Sequence, residues 1–131
     1  MAKQSEKYPW SEFEKDCKKI AAWAKRKNFK NIHGIPRGGL IVGVKLSHLL
    51  DIPLVLNREN ITKNTLIVDD TVDTGGTVER LLSSLGGGFR VASIYFKEDA
   101  KISPDFFVKK KKSWVIFPWE TKKTSRYDKT Y

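Results

Sequence analysis

Cysteine is almost missing from this chain. Cys17 is the only one in 131 residues, which excludes an internal disulfide and fits a reducing, cytoplasmic setting. Histidine is nearly as scarce. His33 and His48 stand apart from each other, and without a Cys/His cluster there is no zinc-site signature. No apolar run approaches the ~20 residues that span a bilayer. The first seven residues, Met-Ala-Lys-Gln-Ser-Glu-Lys, lack the apolar stretch of a signal peptide. Internal repeats and dividing linkers are missing too, so the length reads as one domain.

Negative charge is in short supply. Fifteen acidic residues face 25 basic ones, for a net charge of +10. The basic residues gather at 18–30, 109–112 and 122–129. They form no aromatic-interleaved nucleic-acid binding motif, which argues against specific nucleic-acid binding. A basic surface also steers polyanionic small molecules toward a site.

The apolar pattern alternates between strand and helix. Ser11 and Glu14 form a capping-box pattern, and Phe13, Cys17, Ile20, Ala21 and Ala24 recur at helical spacing as far as about Lys27. Residues 31–35 read as a strand, Pro36-Arg37-Gly38-Gly39 as a tight loop, and 40–50 as a helix. Residues 51–56 give a turn and a short strand. A polar connection of about eight residues, 57–64, follows. Leu66-Ile67-Val68 reads as a buried strand, with Asp69 and Asp70 where it would end. The Asp73–Thr77 loop then leads into a helix from Val78 to about Leu85, stopped by Gly86-Gly87-Gly88. Residues 89–96 form a further strand ending at Lys97, 105–108 a short extended piece, and 113–120 the last ordered element. Residues 121–131 read as a frayed tail, with Tyr127 and Tyr131 as its pins. The expected fold class is α/β, a parallel twisted sheet flanked by helices. Ligands of such sheets bind beyond the carboxyl ends of the strands, where Arg37, the 69–77 loop and Lys97 all fall.

Strand, acidic pair, hydroxyl-and-glycine loop and helix start form an arrangement that holds a phosphorylated sugar. Glycines let the backbone approach a phosphate, loop N–H groups point at it, and Thr74 and Thr77 add hydroxyl donors. Asp69 and Asp70 can accept from sugar hydroxyls or bind Mg²⁺. As strand neighbours their side chains are expected to point apart. The Arg37 loop repeats the strand–glycine–helix pattern and offers a second anion site with a bidentate cation.

The ordered string from Leu66 to Thr77 resembles the phosphoribosyl pyrophosphate (PRPP) signature of type I phosphoribosyltransferases. Arg37-Gly38-Gly39 resembles their pyrophosphate loop, where a non-proline cis peptide often precedes the basic residue; here that bond is Pro36-Arg37. Lys97 with Trp114-Val115-Ile116-Phe117-Pro118-Trp119-Glu120 resembles the 6-oxopurine branch, xanthine-guanine enzymes in particular. The resemblance spans roughly residues 31–120. It implies a core at about 31–97, a small hood-like base-binding region at about 98–120, and a charged tail.

It further implies transfer of a phosphoribosyl group from PRPP to xanthine, guanine or hypoxanthine, with Mg²⁺ as cofactor and a homo-oligomeric assembly. Arg37, Gly38 and Gly39 would bind pyrophosphate. Asp69 and Asp70 would serve the ribose and the metal, the latter directly or through water. Asp73, Thr74, Gly75, Gly76 and Thr77 would bind the 5′-phosphate, with Asp73 also the catalytic base near purine N7. Lys97 would donate to the 6-oxygen, Trp114 would stack on the base, and Val115 would offer backbone groups to it. Trp119 reads as core packing. Family members place a long mobile lid where this chain has only residues 57–64, in which Arg58 and Lys63 are the available cations. Two other readings stay open: a phosphoribosyltransferase for another base such as orotate, and a non-catalytic PRPP- or nucleotide-binding regulator.

Overall fold

The computed structural model describes residues 5–126. Its elements begin with β1 (Ser5–Lys7), α1 (Trp10–Lys25), β2 (Asn31–Gly34) and α2 (Gly38–Leu50). They continue with β3 (Thr65–Val72), α3 (Gly76–Leu85), β4 (Arg90–Phe96), β5 (Phe106–Lys110) and β6 (Trp114–Ile116). The main sheet has four strands in the order β2-β3-β4-β5, all parallel. It is the α/β architecture that alternating strand and helix patterns predict.

Both faces of this sheet are apolar because helices cover both. Leu66 and Val68 of β3 join Cys17, Ile20 and Ala24 of α1 and Val42 and Leu46 of α2 in one core cluster. Ile67 turns the other way and packs with Val78 of α3 and Val91 of β4. The period-2 alternation of a strand thus feeds two cores at once.

Three local expectations give way to tertiary context. α1 starts at Trp10 with Pro9 as its N-cap and no side-chain capping bond, so Ser11 and Glu14 form no capping box. The Pro9 carbonyl accepts the Glu12 and Phe13 N–H groups instead. The strand expected at 51–56 shrinks to a single bridge, Ile32 to Leu54, at the edge of the sheet. The 57–64 connection contains a 3₁₀ turn at Arg58–Asn60, and Lys63 lies beside Gly88, at the sheet edge opposite the carboxyl ends. Lys63 therefore offers no lid charge.

A second, two-stranded parallel sheet joins β1 to β6, with Ser5 opposite Trp114 and Lys7 opposite Ile116. The region around Trp114 is thus built from both ends of the chain. Ser-Glu-Lys carries no apolar alternation; its pairing rests on backbone groups, helped by Ser113 Oγ donating to Glu6 Oε1 at 3.2 Å. Tyr8, the next residue, is buried edge-on against Tyr95 and Phe117. Trp119 stacks on Phe117 and borders Phe13, the core role expected of it. Among the described residues no helix is long and apolar enough to cross a membrane.

Candidate active site

β2 leads through Ile35-Pro36-Arg37 into α2, and the Pro36-Arg37 peptide is cis. Gly38 opens α2 directly against Asp70, where a Cβ would overlap the carboxylate. Gly39, in the same turn, is buried against Val68 and Asp69. The pyrophosphate-loop candidates and the two carboxylates therefore form one wall.

β3 does not end before its carboxylates. Its ladder continues to Val72, with Asp69 opposite Ser93 and Thr71 opposite Tyr95. β4 runs on alongside, and these ladder bonds override the poor strand propensity of aspartate. The side chains do not point apart either. Both carboxylates face the first turn of α2, Asp70 against Gly38 and Asp69 against Gly39. Asp69 Oδ1 accepts the Asp70 N–H at 2.8 Å and Asp70 Oδ1 accepts the Thr71 N–H at 2.7 Å, curling both groups toward the same turn. Burial pushes the Asp70 carboxyl above its ordinary value, opposed by the bonds from Asp69 and Thr71 and by the nearby Lys111 charge.

The next loop is held from outside. Gly75 sits in the left-handed region at φ +84°, and the Thr74 carbonyl accepts the Lys101 N–H at 2.8 Å. The Gly76 N–H donates to Thr74 Oγ1 at 3.2 Å. α3 then starts, leaving first-turn N–H groups to face an anion. Arg80 donates to Thr77 Oγ1 at 3.5 Å. The sequence reading missed this cation, although a residue three positions after Thr77 shares its helix face.

A cleft of about 220 Å³ opens at this edge. Pro36, Arg37 and Gly38 line it together with Asp69, Asp70 and Thr77. Glu120, Ser125 and Arg126 complete the wall. Residues 121–126 are consequently no frayed tail. Thr121 and Thr124 are cross-bonded, Thr124–Arg126 form a 3₁₀ turn, and Trp114 Nε1 donates to Ser125 Oγ at 3.1 Å. Tyr127 and Tyr131 lie outside the described residues. Glu120 Oε1 accepts the Phe117 N–H at 2.9 Å. Burial and then the Asp70 charge raise the Glu120 carboxyl, against the opposing charges of Arg37 and Lys111. Polarity hid Ser125 and Arg126, which look like any solvated terminus.

The base-site candidates divide. Trp114 is half-buried, and Val115 beside it is buried in β6. Lys97 follows β4, its N–H bonded to the Val72 carbonyl at 2.9 Å. Its side chain is half exposed, with the ammonium 3.8 Å from Asp99. Asp73 is linked to Trp114 by Lys111. The Lys111 ammonium lies 2.9 Å from Asp73 Oδ2 and 4.4 Å from the Trp114 ring centre.

Among the described residues no three His, Cys, Asp or Glu side chains converge on a metal position. The adjacent Asp69 and Asp70 nevertheless suit Mg²⁺ arriving with a phosphorylated substrate. That ion takes one or two carboxylates and completes its shell with water and phosphate oxygens.

No family model matches the chain. It is 30% identical to the xanthine-guanine phosphoribosyltransferase of Desulfotalea psychrophila, over 87% of this chain and 86% of that protein. The purine phosphoribosyltransferase of Pyrococcus horikoshii superposes with a TM-score of 0.78 at 29% identity, covering 89% of this chain and 95% of that one. The xanthine-guanine-hypoxanthine phosphoribosyltransferase of Helicobacter pylori superposes with a TM-score of 0.82 at 25% identity, covering 90% and 93%. The fold is that of a type I phosphoribosyltransferase. Within that class, the chain belongs to the 6-oxopurine phosphoribosyltransferase family.

Proposed function

We propose that the protein transfers the phosphoribosyl group of PRPP to a 6-oxopurine, releasing pyrophosphate and forming a nucleoside 5′-monophosphate. The observation that carries this reading is the convergence of Arg37-Gly38, Asp69-Asp70 and Thr77 on one cleft, beside an exposed loop and helix start.

In this reading Thr74–Thr77 and the first turn of α3 bind the 5′-phosphate, and Arg80 adds charge there. Arg37, with the backbone of Gly38 and Gly39, binds the pyrophosphate. Asp69 and Asp70 accept from the ribose hydroxyls. They would also hold Mg²⁺, directly or through water, and the chemistry such an ion supplies is neutralisation of charge on the departing pyrophosphate. The C1′–pyrophosphate bond breaks as a purine nitrogen attacks from the opposite face. Asp73 accepts the proton at the imidazole edge of the purine. Trp114 stacks on the base and Val115 offers it backbone groups. Lys97 donates to the base oxygen once its side chain turns inward.

Pyrophosphate release from PRPP and Mg²⁺ tests this with xanthine, guanine, hypoxanthine, adenine and orotate in parallel. Turnover with 6-oxopurines and little with adenine is the expected result. Turnover with orotate alone would preserve the PRPP site and reject the base site. PRPP binding without turnover on any base would instead favour the regulator.

A further inference from the structure

Trp114 has a thin mounting. It opens β6, a strand of three residues in a two-stranded sheet, and the partner strand β1 is exposed throughout. Strand alternation sends the buried Val115 to one side and Trp114 to the other, where the indole is half-buried. The torsion that tilts an aromatic ring about its Cβ has broad wells, so such a setting leaves the tilt of the indole loosely fixed.

The C-terminal turn supplies the missing restraint. Trp114 Nε1 donates to Ser125 Oγ at 3.1 Å, and Ser125 Oγ donates to the Lys122 carbonyl at 2.9 Å. An indole N–H can only donate, and a hydroxyl carries a single proton. With that proton on Lys122, the Ser125 oxygen is the acceptor that the indole needs. No proton is then left for a phosphate, although Ser125 borders the cleft. The turn behind it closes on itself. The Thr121 N–H donates to Thr124 Oγ1 at 2.9 Å and the Thr124 N–H to Thr121 Oγ1 at 3.0 Å. The Ser125 N–H donates to the Thr121 carbonyl at 2.9 Å. Polar residues alone thus build a bracket that ends on the indole edge.

We propose that Ser125 is a positioning residue of the base site, holding the Trp114 indole at the tilt on which the purine stacks. This rests on the reading above, in which Trp114 stacks on the base. The Nε1–H bond lies in the plane of the ring, so it persists while a base covers the face. It sets the plane of the indole, and through stacking the plane of the purine against the anomeric carbon, where small misplacements of reacting atoms lower the rate. Arg126, the next residue, lines the cleft with Arg37, Asp69 and Asp70. One short turn therefore joins the wall of the PRPP cleft to the stacking ring.

The test uses the full chain with Ser125→Ala, Ser125→Thr and Thr124→Val, the last loosening the bracket at a residue outside the cleft lining. KM is measured separately for guanine, for hypoxanthine and for PRPP. Ser125→Ala is expected to raise KM for the base about 3- to 10-fold, the worth of one neutral hydrogen bond, with KM for PRPP unchanged. Ser125→Thr keeps a hydroxyl and restores the base KM, and Thr124→Val reproduces part of the rise. Near-UV circular dichroism of the free protein reads the indole directly, with Trp114→Phe marking its band. That band weakens in Ser125→Ala and returns in Ser125→Thr. An unchanged base KM in Ser125→Ala would overturn the proposal, and so would a rise confined to PRPP, which would make Ser125 a ligand of the cleft. A wild-type chain that turns over no 6-oxopurine would overturn the functional reading, and an unaltered Trp114 band in Ser125→Ala would then overturn the positioning role independently.

Discussion

The α-carbon of Gly38 faces the Asp70 carboxylate with no room for a methyl group between them. The first turn of α2 and the acidic pair of β3 are consequently one mechanical unit. Pyrophosphate and ribose contacts would be positioned together.

Gly38→Ala should disturb both halves of that unit. Either the Asp70 side chain swings or α2 shifts, at about 1–3 kcal/mol of overpacking strain. The expected outcome is a lower urea midpoint together with weaker PRPP binding by calorimetry. Unchanged PRPP affinity at reduced stability would separate the turn from the site.

Asp73→Asn keeps the shape of the side chain and removes its basicity. Turnover should fall by about 10²–10⁴-fold, as for loss of a positioned base, while KM for PRPP changes little. Steady-state rates at saturating PRPP check this. An unchanged rate would remove Asp73 from the chemistry.

Asp16 is fully buried on α1. Its Oδ2 accepts from the Tyr8 hydroxyl at 2.6 Å and faces Lys109 at 3.2 Å. Asp16→Ala would leave that hydroxyl without its acceptor, costing about 1–3 kcal/mol. Tyr8→Phe should cost about 1 kcal/mol, and the double variant less than the sum. Urea unfolding of the three variants measures this, with full additivity as the contrary result.

Alkaline pH should weaken the fold through Cys17. Burial pushes its thiol up to about 12, whereas in the unfolded chain it ionises near ~8.5. Above that value the unfolded state has released the proton that the native state retains, so stability falls as pH rises, by up to about 1.4 kcal/mol per pH unit. Tyr95, also pushed up to about 12 by burial, adds to the decline. Cys17→Ala should flatten the slope between pH 9 and 11, in an interval set by ~8.5 for the free thiol. Thiol reagents should label the native wild type only as fast as it opens. Equal slopes in the two proteins would refute the assignment.

Much of the site was legible because its chemistry is contiguous. Asp69, Asp70 and the Asp73–Thr77 loop follow one another along the chain, and the Arg37 loop carries its own strand–glycine–helix signature. What escaped notice is long-range. β1 is recognised only beside β6, a pairing across almost the whole chain. Ser125 and Arg126 look like solvent-facing residues until the cleft closes on them. Lys111 is indistinguishable in sequence from Lys109, Lys110 and Lys112.

The sequence by itself determined the α/β class, the order of the core elements and the phosphate-binding loops, because alternating apolar periods and glycine placement act over a few residues. Tertiary structure alone decided how far β3 extends, since β4 supplies the ladder past Asp69. It also decided which way each lysine of the 109–112 run turns, since only the folded chain sets Asp16 beside Lys109 and Asp73 beside Lys111. Burial then makes those choices matter: a lysine in water needs no particular partner, and one held at the edge of the core does.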